Sequence, residues 1–202
     1  MLNCNETIKI ALDNDVNIDY ELEEEYYDTL ESISEDKKSI SNLINELQKN
    51  IEQIDEKNIF KIINLIESIM NKENASKAEI YDFTLMLLYR ECCINVSVPY
   101  RIIRIMISVE GDLDKIFLDI IEKTNENDII SVIITLNTLY SPIGNLIKID
   151  YKLVVRLLEK VKNAIINNNN ELLKSTIKQQ LCEKINNDKY KRYFEEFNML
   201  IY

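Results

Sequence analysis

Apolar residues recur along this chain at the spacing of an α-helix, in one segment after another. Ile40, Leu43, Ile44, Leu47, Ile51 and Ile54 fall at i, i+3, i+4, i+7, i+11 and i+14, which puts them on a single stripe. Ile59, Ile62, Ile63, Ile66, Ile69 and Met70 repeat the stripe, with Phe60 and Leu65 widening it. Tyr190, Tyr193, Phe194, Phe197 and Leu200 make a last, aromatic one. A half-buried strand would alternate at period two, and sheets need turn glycines in number. Two glycines and two prolines in 202 residues suit helices joined by short polar loops. The expected fold class is all-α.

Capping signals place the joints. Ser76 to Glu79 has the spacing of a capping box, in which the serine hydroxyl and the glutamate each satisfy an orphan backbone donor. Ser97 precedes Pro99, a residue tolerated in a first helical turn. Gly111 stands where a left-handed C-terminal cap is wanted, and Asp112 can open the next helix. Asp128, Ser141-Pro142 and Asp150 are further start signals, and Asn167–Asn170 reads as a polar turn. These marks draft helices at about 21–33, 39–54, 57–71, 76–94, 98–109, 112–123, 128–140, 150–166, 170–186 and 188–201.

Four helical pairs then start near 39, 76, 112 and 150, in steps of 37, 36 and 38 residues. A regular step of roughly 40 residues with two helices each is the spacing of HEAT or armadillo stacking. The architecture expected is a short solenoid of stacked helical hairpins with N- and C-terminal capping helices, the alternative being an irregular globular helical bundle. One domain over 1–202 is expected, made of an acidic N-terminal helical segment (1–36), helical hairpins (37–186) and a C-terminal capping helix (187–202).

Charge and composition narrow the function. Residues 1–36 hold twelve acids against one base, Lys9, and carry the whole net charge of −11; the remainder is neutral, with 23 acids and 23 bases. Nucleic acid and anionic membrane are therefore not expected as partners, because both are held by clustered lysine and arginine. Met1–Glu6 lacks the basic start and apolar run of a secretory leader, and Ile102–Val109 and Ile129–Leu139 are too short to span a bilayer. The four cysteines form no CxxC pair, and adjacent Cys92 and Cys93 do not bridge easily, so reduced thiols and a cytoplasmic location are expected.

Catalysis is not expected. The chain has no histidine, which removes the commonest general base, the Ser-His and Cys-His pairs and histidine metal sites. It has no P-loop, GxGxxG or GxSxG. The acids sit at helical surface positions beside lysines, and nothing singles out a pair for glycosidase chemistry. Cys92 and Cys93 lie in an apolar run without a basic cluster near in sequence to activate a thiol. No cofactor and no metal is expected, and the partner is another protein.

Two surfaces are candidates for holding it. In the acidic segment Leu22, Tyr26, Leu30 and Ile33 share one helical face, giving a docked helix with an acidic outer side. Tyr20, Tyr26 and Tyr27 add the amphipathic rings that interfaces favour. The second surface follows if the hairpins stack, since the second helix of each pair then lines one concave side. Opposite their apolar stripes those helices carry Lys61, Asn64 and Ser68; Arg101, Arg104 and Ser108; and Ser131, Thr135 and Thr138. Aligned, they make a mildly basic-to-polar groove, with Lys61, Asn64, Arg101, Arg104, Thr135 and Thr138 as its partner-binding residues.

Lys77–Ile103 (KAEIYDFTLMLLYRECCINVSVPYRII) and Asp128–Leu158 (DIISVIITLNTLYSPIGNLIKIDYKLVVRLL) share one plan, a long apolar helix, a polar break and a second apolar helix. This layout resembles the armadillo-type nucleotide-exchange factors of the heat-shock chaperone ATPases. The resemblance covers most of residues 39–186 as a pattern and assigns no residue a role. It implies a co-chaperone that grips a lobe of the chaperone ATPase domain so that ADP leaves. Two alternatives fit the same composition. One is a viral Bcl-like inhibitor of apoptosis or innate signalling; the other is an accessory subunit of a large assembly such as a proteasome or ribosome.

Overall fold

The computed structural model describes residues 4–12, 37–94, 97–139, 150–180 and 191–201, and among these every regular element is helical. Ten α-helices follow in order: α1 (Cys4–Leu12), α2 (Lys37–Lys49), α3 (Ile59–Ile69), α4 (Lys77–Leu88), α5 (Ser97–Glu110), α6 (Leu113–Lys123), α7 (Ile129–Leu139), α8 (Tyr151–Asn168), α9 (Glu171–Gln180) and α10 (Lys191–Ile201). The all-α expectation holds. α1 has no counterpart among the drafted helices, and the drafted helix 21–33 lies outside the described residues.

Two drafted helices end earlier than drafted, each giving way to a 3₁₀ turn. After α2 the Asn50 amide group donates back to the Glu46 carbonyl at 2.8 Å, and a 3₁₀ turn (Ile51–Gln53) leads to extended Ile54. After α4, Tyr89 leaves helical geometry and a second 3₁₀ turn (Glu91–Ile94) carries Cys92 and Cys93. The apolar stripes run through both breaks, because a 3₁₀ turn nearly preserves the facing of an α-helix over one turn.

The other joints follow the capping chemistry. Ser76 Oγ accepts from Glu79 N at 3.4 Å, while Glu79 Oε2 is buried with no hydrogen-bond partner. Asp112 accepts from Asp114 N and Lys115 N, Asp128 from Ile130 N, and Asp150 from Lys152 N. Gly111 adopts φ +78° after α5, the left-handed conformation that a residue with a Cβ resists. In the asparagine turn, Asn169 takes φ 42° and Asn170 Oδ1 accepts from Leu172 N and Leu173 N to start α9.

The chain packs as two compact units that divide at Gly111, Met1–Gly111 and Asp112–Tyr202, where the sequence reading has one domain. The break coincides with the sharp cap at Gly111 and the fresh helix start at Asp112. In the first unit α1 lies against α2 and α3, α2 against α4, α3 against α5, and α4 against α5. Phe83, Ile40, Leu43, Ile44, Leu47, Ile62, Ile63 and Ile66 form its fully buried centre. In the second unit α6 packs on α8, α7 on α8 and α9, and α10 on α8 and α9. Phe117, Ile120, Ile121, Val132, Ile134, Leu157, Val161 and Ile177 fill its interior. Each such side chain contributes about 1.5–3 kcal/mol of apolar transfer on burial.

Side chains tie elements that are far apart in sequence. In the first unit Arg90 reaches Glu52, 38 residues away, and Arg101 reaches Asn64, 37 away. In the second unit Asp114 Oδ1 accepts from Asp150 N across 36 residues, and Lys160 Nζ donates to the Thr124 carbonyl across 36. Asn168 Nδ2 donates to Glu126 O, 42 residues away, and Lys162 pairs with Glu196 across 34.

Candidate functional site

The polar row foreseen on the second helices is present in the first unit. α3 and α5 pack side by side, because their buried stripes (Ile59, Ile62, Ile63, Ile66; Ile102, Ile103, Ile105, Met106) face the same interior. Their polar sides are thereby left together on the outside. Arg101 Nη2 donates to Asn64 Oδ1 at 2.8 Å, and its Nε donates to Glu67 Oε1 at 3.3 Å. A second guanidinium contact joins Nη2 to Glu67 Oε2. The planar fork of arginine matches a carboxylate in this two-pronged way, which fixes both side chains. Arg104, Ser68 and Ser108 are exposed along the same helices, and Lys61 is half-buried. Ser68 and Ser108 turn their hydroxyls inward, to the carbonyls of Leu65 and Arg104. Exposed Phe60 on α3 and Tyr100 on α5 bring two aromatic rings to this surface region.

Glu67 was not foreseen. It follows Asn64 by three residues, and that spacing on a helix is the one signal that could have placed it within reach of Arg101. Its carboxylate offsets one of the three cations of the row, so the surface is less basic than Lys61, Arg101 and Arg104 alone suggest.

The expectation fails on α7. Ser131, Thr135 and Thr138 do not line a groove: they are buried, together with every other residue from 131 to 138. Thr135 Oγ1 lies 2.8 Å from the Ser131 carbonyl and 2.8 Å from Thr124 Oγ1, while Thr138 Oγ1 donates to Thr135 O at 2.6 Å. A threonine can enter a core when its hydroxyl bonds back to a carbonyl three or four residues earlier. Periodicity counts such residues as polar and assigns them to the surface. Ser131 Oγ accepts from Asn125 N at 3.0 Å, so this face of α7 closes the turn from α6. Tyr26 and Tyr27, and with them the acidic candidate surface, lie outside the described residues.

Cys92 and Cys93 are buried, with Cys93 Sγ 3.1 Å from the Leu87 carbonyl and Cys92 Sγ 3.9 Å from that of Ile54. The Cys93 thiol beside it, aided by the Arg90 charge, holds Cys92 below the ordinary thiol range against the opposing effect of burial. Cys93 is driven well above that range by its hydrogen bond to Cys92 and by burial. Among the described residues no three Cys, Asp or Glu side chains gather in a group able to hold a metal ion. None of the described helices is long and apolar enough to cross a membrane.

Comparison with protein-family models, with curated proteins and with solved structures finds no match.

Proposed function

We propose that this chain is a non-enzymatic protein-binding module of stacked hairpins in the HEAT/armadillo manner, with the α3–α5 face as its partner-binding surface. The observation that carries the reading is the contact of Arg101 with Asn64, which joins the polar sides of the second helices of two successive pairs. Three further relationships support stacking: α2 against α4 and α3 against α5 in one unit, and α6 against α8 in the other. The separations of 36 to 38 residues in the Arg90–Glu52, Arg101–Asn64 and Asp150–Asp114 ties match the step between pairs.

The surface chemistry suits a folded protein partner. Arg101 is fixed by Glu67 and Asn64 and presents a rigid edge, Arg104 adds an exposed cation, and Tyr100 and Phe60 add apolar area. Such a mixture of aromatic rings and arginine is what protein interfaces concentrate. The best-specified partner is the ATPase domain of a heat-shock chaperone, which the module would grip so that ADP leaves, as a cytoplasmic co-chaperone.

Release of labelled ADP from a chaperone ATPase domain tests this. The intact chain at substoichiometric amounts should accelerate release, and Arg104→Glu should remove most of the acceleration while leaving the helical circular dichroism unchanged. An intact chain without effect on release would remove the exchange reading. An effect indifferent to Arg104→Glu would remove the α3–α5 face.

A further inference from the structure

The binding face leaves one pair of nucleophilic side chains unused. Cys92 and Cys93 are adjacent on the 3₁₀ turn between α4 and α5, and both sulfurs sit at a joint of the first unit. One sulfur is directed to the carbonyl of Ile54, at the end of the preceding hairpin connection, and the other to that of Leu87 on α4. Cys92 keeps 7% of its surface exposed, whereas Cys93 keeps none. Two residues earlier, Arg90 is anchored on Glu52, which stations a guanidinium beside the turn.

The chemistry available to this pair is narrow. A disulfide between neighbours needs an S–S torsion near a right angle, which helical backbone between the two residues opposes. Zinc needs four ligands, and among the described residues no third Cys, Asp or Glu joins the two sulfurs. A larger soft atom that bonds two thiolates at a narrow angle meets neither obstacle, since thiolates prefer soft centres and the bridging atom relieves the torsion. Trivalent arsenic in an organic arsenoxide has those properties.

We infer that Cys92 and Cys93 form a vicinal-dithiol site that captures trivalent arsenicals from the native chain. Cys92, the less deeply buried residue of the two, attacks arsenic first, and Cys93 closes the ring. Two S–H bonds and the arsenic–oxygen bond break, two arsenic–sulfur bonds form, and the oxygen leaves as water with both protons. Neither sulfur nor arsenic changes oxidation state. The lowered position of Cys92 fits its role as the entering thiolate.

Phenylarsine oxide tests the site on the full chain with Cys4→Ser and Cys182→Ser, which leaves only the pair. Intact mass should show one adduct on the folded protein, stable to 2-mercaptoethanol and released by 2,3-dimercaptopropanol. Adding Cys93→Ala should make any remaining adduct strippable by the monothiol. An adduct that forms only after guanidinium unfolding would overturn the proposal, and so would monothiol-resistant labelling that survives Cys93→Ala. The native-against-unfolded comparison uses the intact pair, so it reads the site even where Cys93→Ala fails to fold.

Discussion

Asn58 Nδ2 donates to the carbonyl of Leu12 at 3.2 Å, across 46 residues of chain. The same amide group donates to Gln53 O at 3.0 Å, and its Oδ1 accepts from Asp55 N at 2.9 Å. Asn58 is fully buried and stands at the start of α3, so one side chain ties together the end of α1, the 3₁₀ turn and the short loop that leads from that turn into α3.

Asn58→Ala should therefore be among the most destabilising single changes in the first unit. It removes the hydrogen-bond partner of the Leu12 and Gln53 carbonyls and of Asp55 N, at a cost of about 1–3 kcal/mol. Asn58→Asp should be at least as harmful, since a carboxylate cannot donate to the two carbonyls. Urea unfolding of the three proteins checks this; an alanine variant within a few tenths of a kcal/mol of the parent would contradict it.

Gly111→Ala separates backbone strain from crowding. A Cβ built there meets nothing within 4 Å, so the penalty comes from φ +78° alone. The expected loss is about 1 kcal/mol, with Gly111→Asn costing less because asparagine tolerates the left-handed region. A shift in denaturation midpoint with unchanged slope is the expected readout.

The Arg101 fork should show coupling with Glu67 in a double-mutant cycle. Both side chains are about a quarter to a third exposed, at 27% and 30%, so solvent screens part of the attraction. A coupling of roughly 1 kcal/mol is expected, near the top of the range for exposed pairs because the contact is two-pronged. High salt should reduce it, and Arg101→Lys should recover only part of it.

Glu196 gives a pH signature to the α8–α10 contact. Lys162, and then Arg192, hold its carboxyl below the ordinary range by hydrogen bonding. A lowered folded value means that ionised Glu196 stabilises the fold above the unfolded carboxylate pKa of about 4.3. That contribution is lost as the pH falls through the folded value. Glu196→Gln should therefore lower Tm near neutrality, and the gap to the parent should close on acidification. A gap that stays constant down to acid pH would mean the charge has no part in it.

Much of this was legible because it is local. Ser76, Gly111, Asp112, Asp128 and Asp150 act on backbone groups within a few residues, so their roles can be read from the sequence around them. The α3–α5 row was legible too, since Asn64 and Arg101 sit opposite strong apolar stripes. What failed to show involves distance. Nothing near Asn58 marks Leu12 as its partner. The breaks at Asn50 and Tyr89 preserve the apolar facing, so periodicity passes over them. In α1 the buried Ile8 and Ala11 make too short an apolar pattern to set a period.

Thr135 makes the sharpest test of the difference between a polar residue and a surface one. Read by period it belongs to a binding groove; in the fold its hydroxyl bridges Ser131 O and Thr124 Oγ1 in the interior. Thr135→Val keeps the shape and removes the hydroxyl. The Thr124 hydroxyl still has the Ile120 carbonyl at 2.7 Å, so the loss should be modest, about 0.5–1.5 kcal/mol. Partner binding measured on the folded variant should match the parent, whereas Arg104→Glu should weaken it with little change in stability. The reverse pattern, with binding lost in Thr135→Val at unchanged stability, would return α7 to the surface and displace the α3–α5 face as the site.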